Sequence, residues 1–192
     1  MKRIAMVVLG VLALGCAGRT QFEGGEASKQ TLRSMPGWYR KPPKGDESWM
    51  FAPATATSRE LQVALDRAQS DGRLGLATQL EARYSALSRR FVEETGLARD
   101  AQLLSEYEQT YKAVVSQVLI GSRAREQQFE TENGVYRAWV LMELPVGEAN
   151  KRLLEQIRAQ EQLYTRLRAT DAYKELNKEV EKLEASKAKR TP

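Results

Sequence analysis

Ser122 to Leu144 reads SRAREQQFETENGVYRAWVLMEL, and this stretch decides the fold. Asn133-Gly134 sits between two extended runs. Both residues tolerate positive φ, so the pair favours a two-residue type I′ turn, whose twist matches that of the flanking strands. The turn predicts a hairpin with Glu130 opposite Arg137, an opposite-charge pair of modest value. In the second run Tyr136, Ala138, Val140, Met142 and Leu144 share one face, and Val135, Trp139 and Leu141 share the other. A strand apolar on both sides belongs in the interior of a sheet or under a partner.

Upstream of the hairpin, two helices are expected. Leu61, Ala64, Leu65, Ala68, Gly72, Gly75, Leu76 and Leu80 recur at three- and four-residue steps and share a face. The middle of that face is Ala and Gly. A helical Gly costs up to ~1 kcal/mol against Ala, and its return here is close approach to a sheet or another helix. Thr57-Ser58-Arg59-Glu60 has capping-box spacing and predicts the start, and Gly96 predicts the stop after Thr95. The second helix carries Leu97, Ala101, Leu104, Tyr111, Val115 and Val118 on one face and ends at Gly121.

Before the helices, Met35-Pro36-Gly37-Trp38-Tyr39 and Pro43 to Asp46 predict irregular chain. Ser48 to Ala52 reads as a short strand that Pro53 confines to an edge or ends early. After Pro145 and Gly147 the pattern is helical. One stripe runs through Leu153, Ile157, Tyr164 and Leu167, a second through Tyr173, Leu176, Val180 and Leu183. The offset at Thr170-Asp171 predicts two helices or one with a register shift, and Lys182 to Pro192 is expected to fray. The fold class is therefore α+β: a small antiparallel sheet in β-α-α-β-β-α order, packed on helices, with a long C-terminal helical extension.

The amino terminus carries an address. Met1-Lys2-Arg3 is a basic head, Ile4 to Gly15 an apolar run, and Cys16 the sole cysteine among 192 residues. This order reads as a secretory signal peptide, shorter than the roughly 20 apolar residues of a transmembrane helix. Ala13-Leu14-Gly15-Cys16 resembles a lipobox, in which the thiol receives diacylglycerol. Residues 1–16 are thus assigned to the signal, 17–34 to a flexible tether rich in Gly, Ser, Gln and Thr, 35–145 to the α/β domain, and 146–192 to the helical extension and charged tail. Ala17 after Cys16 points, by analogy with enteric sorting, to a lipid anchor in the outer membrane with the domain facing the periplasm.

Composition narrows the chemistry. Removing Lys2 and Arg3 with the leader leaves 28 basic against 25 acidic residues. This small excess is spread along helices, and no nucleic acid is expected as a partner. Histidine is absent, which removes the commonest general base and the commonest zinc ligand. No catalytic set, metal site or cofactor is expected, and a structural or binding role becomes the default. Trp38, Trp49 and Trp139, with Leu141, Tyr39 and Phe51, are the candidate interface or ligand-groove residues, with core and sheet packing as the competing account. Glu93-Glu94, Arg89-Arg90 and Arg123-x-Arg125 read as solvated surface charges.

Pro36-x-Trp38, a strand, an Ala-rich helix with Ala64, Ala68 and Ala77, a second helix and the hairpin resemble, in this order, the LPP20 family of bacterial lipoproteins. The resemblance spans roughly Met35 to Leu144. Phe51-Ala52-Pro53-Ala54 departs from it, where a glycine-containing strand end is expected, and so does the long segment after Pro145. It implies an outer-membrane lipoprotein with a sheet packed on two or three helices. Some relatives form ring or disk parts around the flagellar motor, which implies a self-associating or assembly role. The alternative is a periplasmic binding module for a cell-wall polymer, lipid or small ligand at the Trp38/Trp49 region.

Overall fold

The computed structural model describes residues 31–96 and 100–188. Cys16, the leader and most of the tether lie outside them, as does Leu97. From Met35 onward the chain is one compact unit. Its elements are α1 (Gly37–Arg40), β1 (Trp49–Ser58), α2 (Leu61–Thr95), α3 (Ala101–Leu119), β2 (Arg123–Glu132), β3 (Val135–Pro145), α4 (Val146–Ala159), α5 (Glu161–Leu167) and α6 (Asp171–Ala188). The fold is α+β, with one antiparallel sheet in the order β1-β3-β2 packed on helices.

The hairpin forms as its turn chemistry dictates. Asn133 and Gly134 take φ of 50° and 73°, and Glu130 pairs with Arg137. β3, apolar on both faces, is the central strand. Ala138, Val140, Met142 and Leu144 point to the helices and enter the main core. β1 differs from expectation in length. It runs ten residues, through Pro53 to Ser58, because an edge strand does not need every N–H for a ladder. Asp46 launches it by accepting the main-chain N–H groups of Ser48 and Trp49, each at 2.7 Å. On the opposite edge, β2 carries a bulge at Arg125, between Ala124 and Glu126.

Thr57 and Ser58, at the end of β1, make no capping box. The N-cap of α2 is Glu60, without a side-chain cap, and the Ser58 hydroxyl accepts instead from the Glu60 N–H at 3.2 Å. Ala64, Ala68, Gly72, Leu76 and Leu80 are buried as their spacing requires, whereas Leu61 is exposed. The glycines bring α2 down onto the sheet. A Cβ at Gly72 would stand 2.4 Å from Met142 Cγ, and one at Gly75 would stand 3.2 Å from Ala52 Cβ. Gly96 ends α2 with φ of 69°. α3 then packs back through aromatic contacts, Phe91 on Tyr107 at 5.3 Å and Tyr84 near Tyr111 at 6.1 Å. Burial raises the pKa of the Tyr84 and Tyr107 hydroxyls well above the ordinary value.

The C-terminal segment forms three helices rather than two. Gln160 breaks the first stripe and donates to Thr110 Oγ1 at 2.9 Å. Thr170 marks the second break, its Oγ1 accepting the Tyr173 N–H at 3.1 Å, an N-cap. Leu153, Ile157, Leu163, Leu167, Leu176 and Val180 join the main core. Contrary to expectation, Lys182 to Ala188 is helical, and Lys182 and Lys187 pair with Glu47 and Glu148.

Candidate functional site: the outer face of the sheet

The face of the sheet turned away from α2 gathers most of the aromatic and arginine residues singled out by sequence. Cross-strand partners share a face, so the register assembles it in rows. Phe51, Glu143 and Arg123 form one, Pro53, Leu141 and Glu126 the next, then Thr55, Trp139 and Gln128. Trp139 is 2% exposed and Leu141 is equally buried.

Trp139 lies under α1. The Tyr39 ring meets it edge-on at 4.5 Å, Trp38 stands 6.2 Å from Tyr39, and the Arg137 guanidinium lies 5.5 Å from the Trp139 ring centre. Pro36-Gly37 therefore acts by turning Tyr39 onto the strand. Of the two covers that a second apolar face of β3 suggests, the chain's own C-terminal helix through Tyr173, Leu176, Val180 and Leu183 or a neighbouring subunit, the first is not found. Tyr173, Leu176 and Val180 are buried in the main core on the helical side, and Leu183 packs so close to Gly147 that a Cβ there would stand 2.9 Å from it.

Two polar atoms in this row have no partner. Trp139 Nε1 and Thr55 Oγ1, on paired residues, are buried without a hydrogen bond. An orphaned buried donor costs ~1–3 kcal/mol, so each is unusual in a folded chain.

Trp49 belongs to the other end of the face. It pairs with Pro145, six positions along β1 from the Thr55 row, which is about 20 Å at strand rise. Trp38 and Trp49 therefore form two separate clusters rather than one groove. Arg123 stacks on Trp49 at 5.7 Å and Arg125 on Phe51 at 5.2 Å. Both arginines also reach Glu143, from Arg123 Nε at 2.7 Å and Arg125 Nη1 at 3.7 Å. Glu143 is 5% exposed, and sequence did not single it out. Its signal is a lone acid in the apolar run of β3. Trp49, Arg123, Ala124, Arg125 and Glu143 line an open groove of about 560 Å³. The Arg123-x-Arg125 pair is exposed, as expected, and in addition stacks on two rings and reaches a buried carboxylate.

Among the described residues no group of three or more acidic or cysteine side chains is placed to hold a metal ion. Glu94 is exposed, as expected, and accepts the main-chain N–H groups of Asp171 at 2.5 Å and Ala172 at 3.2 Å. Among the described residues no helix is long and apolar enough to cross a membrane. No family model, curated protein or solved structure matches this chain.

Proposed function

We propose that the chain is a lipid-anchored protein of the cell envelope, tethered through Cys16 to the outer membrane with its domain in the periplasm. Its role is structural rather than catalytic, and it meets further copies of itself through the outer face of the sheet. The observation that carries this reading is the Thr55–Trp139 row, where a large aromatic and two orphaned polar atoms sit beneath a helix of only four residues. Val135 on the same face is 36% exposed, an apolar margin beside Trp139 of the kind found at interaction sites. The sequence order shared with the LPP20 family and the lipobox-like leader support the address.

Light scattering on the purified domain tests the assembly role. Species heavier than one chain are expected, reduced to single chains by a charge at the exposed Val135 of that face, Val135→Asp, in a protein that stays folded. A strictly monomeric species at high concentration overturns it. Cys16→Ser tests the anchor separately: fatty-acid labelling should disappear and membrane association be lost. Acyl chains contribute ~0.8 kcal/mol per buried CH₂, so persistence after a high-salt wash would put the membrane contact in the domain.

A second reading, a binding module for an envelope polymer or small ligand, rests on the Trp49–Arg123–Arg125–Glu143 groove. Titration with envelope glycans, monitored by tryptophan emission, tests it. An unchanged spectrum across the panel removes it.

A further inference from the structure

A partly enclosed cleft lies on the opposite side of the molecule, between α2, α4 and α6. It holds about 270 Å³ and is lined by Arg83, Tyr84, Leu87, Arg90, Asn150, Glu175, Leu176 and Glu179 among others. This is smaller than the roughly 300–1,000 Å³ of drug-sized pockets, so its occupant is small.

The walls have opposite charge. On α2, Arg83 and Arg90 stand two helical turns apart with Leu87 between them. On α6, Glu175 and Glu179 stand one turn apart beside Leu176. Each wall holds the other through one hydrogen bond per pair, Arg83 Nη2 to Glu179 Oε2 at 2.8 Å and Arg90 Nη1 to Glu175 Oε2 at 2.6 Å. The floor is polar and fixed. Asn150 is fully buried, accepts from the Tyr84 hydroxyl at 3.4 Å and donates to Glu179 Oε2 at 2.8 Å.

Two guanidiniums face two carboxylates, so the lining is balanced. Each arginine engages its glutamate through a single nitrogen, although the guanidinium fork carries five N–H donors. A ligand bearing one charge would break an ion pair and replace only one of its two partners. A ligand bearing both charges can insert between the walls and keep every charge paired. Leu87, Ala86 and Leu176 supply apolar surface between the charged ends. We propose that this cleft binds a small zwitterion, an α-amino acid with an aliphatic side chain, its carboxylate on Arg83 and Arg90 and its ammonium on Glu175 and Glu179.

Calorimetric titration of the full chain in detergent micelles with L-leucine tests the proposal, with leucinamide and N-acetyl-leucine as the two singly charged comparisons. L-Leucine should saturate, and each blocked compound should bind at least about tenfold more weakly, the loss expected for one charged hydrogen bond. Arg90→Gln and Glu175→Gln should each weaken L-leucine by about tenfold or more. Their ion pair is exposed, and such pairs add little to stability, so both variants are expected to fold. Leu87→Trp, which fills the cleft, should abolish binding. Absence of saturation by L-leucine up to about 10 mM, a range in which even weak complexes form, overturns the proposal. So does equal binding of the blocked compounds, or wild-type affinity in the Leu87→Trp protein.

Discussion

Glu94 and Ala172 are joined across 78 positions of sequence: the carboxylate at the end of α2 accepts the main-chain N–H at the start of α6 at 3.2 Å. With the neighbouring Asp171 N–H at 2.5 Å, Glu94 satisfies two donors that the first turn of a helix leaves without partners, and its charge opposes the positive end of the helix dipole. Glu94→Ala should lower stability by ~0.5–2 kcal/mol, the range of a lost helix cap. Urea unfolding followed by circular dichroism measures it, and amide exchange should rise first at Asp171 to Tyr173.

Gly72 and Gly75 should respond differently to a larger side chain. At Gly72 even a Cβ meets Met142 Cγ at 2.4 Å and Met142 Cβ at 3.2 Å, so Gly72→Val overfills the α2–sheet contact and should cost ~1–3 kcal/mol. At Gly75 the obstacle is one Ala52 methyl at 3.2 Å. The gain in helix propensity on Gly75→Ala, up to ~1 kcal/mol, opposes this contact. Denaturation midpoints should therefore separate the two variants, with Gly75→Ala close to wild type.

Asn133 and Gly134 both hold positive φ. Ala-Ala at these positions should cost ~1–2 kcal/mol per residue through left-handed backbone strain. The urea midpoint reports it. An unchanged midpoint would mean that the turn changes type at no cost.

At Trp139 the orphaned Nε1 makes two substitutions diverge. Trp139→Ala removes a buried ring and should cost ~3–5 kcal/mol. Trp139→Phe keeps most of the contact with Tyr39 and removes an unpaired donor, whose burial costs ~1–3 kcal/mol. Its loss should be a small fraction of the Ala value by thermal or urea unfolding. Similar losses in the two variants would show that the indole N–H finds a partner in solution.

Acid should loosen α6 before the rest. The hydrogen bond from Lys151, then the charge of that ammonium, holds Glu184 below its ordinary 4.5. Lys174 does the same for Asp171 below 3.8. A depressed carboxylate pKa means that the unfolded state binds the proton more readily. The contribution is therefore complete above the ordinary values and is lost as pH falls through the lowered ones. Both groups are exposed, so the effect is confined to their helix. Protection factors from hydrogen exchange should fall in α6 below pH 4.5 while those of α2 hold. A uniform fall would place the acid sensitivity elsewhere.

What the sequence made legible follows the range of the forces involved. The hairpin register was readable because Asn133-Gly134 fixes the turn and strand side chains alternate. The face of α2 was readable because helical spacing is local. Pro53 left an edge strand or an early stop open, and the structure takes the edge, since whether a missing N–H matters depends on which side of the strand has a neighbour. Glu94 is exposed as its sequence reading had it, but its hydrogen bonds were not legible because the partners lie on α6, the third element after the hairpin. At the outer face, β3 announced a second apolar side through Trp139 and Leu141. What lies over Trp139 depends on how Pro36-Gly37 turns Tyr39, and what holds Arg123 and Arg125 is the buried Glu143. Both are contacts made in space rather than in sequence.

Pro53 on one margin of the sheet and the bulge at Arg125 on the other hinder the addition of further strands. Ribbons that grow sideways by main-chain pairing have no intrinsic limit, since each new strand offers the same edge as the last. If copies of a chain with both margins blunted associate, they meet through side-chain surfaces instead, and each such contact sets a fixed rotation between neighbours. That rotation alone decides whether a series of copies closes on itself. Where it closes, the assembly has a definite number of members written into the shape of one face.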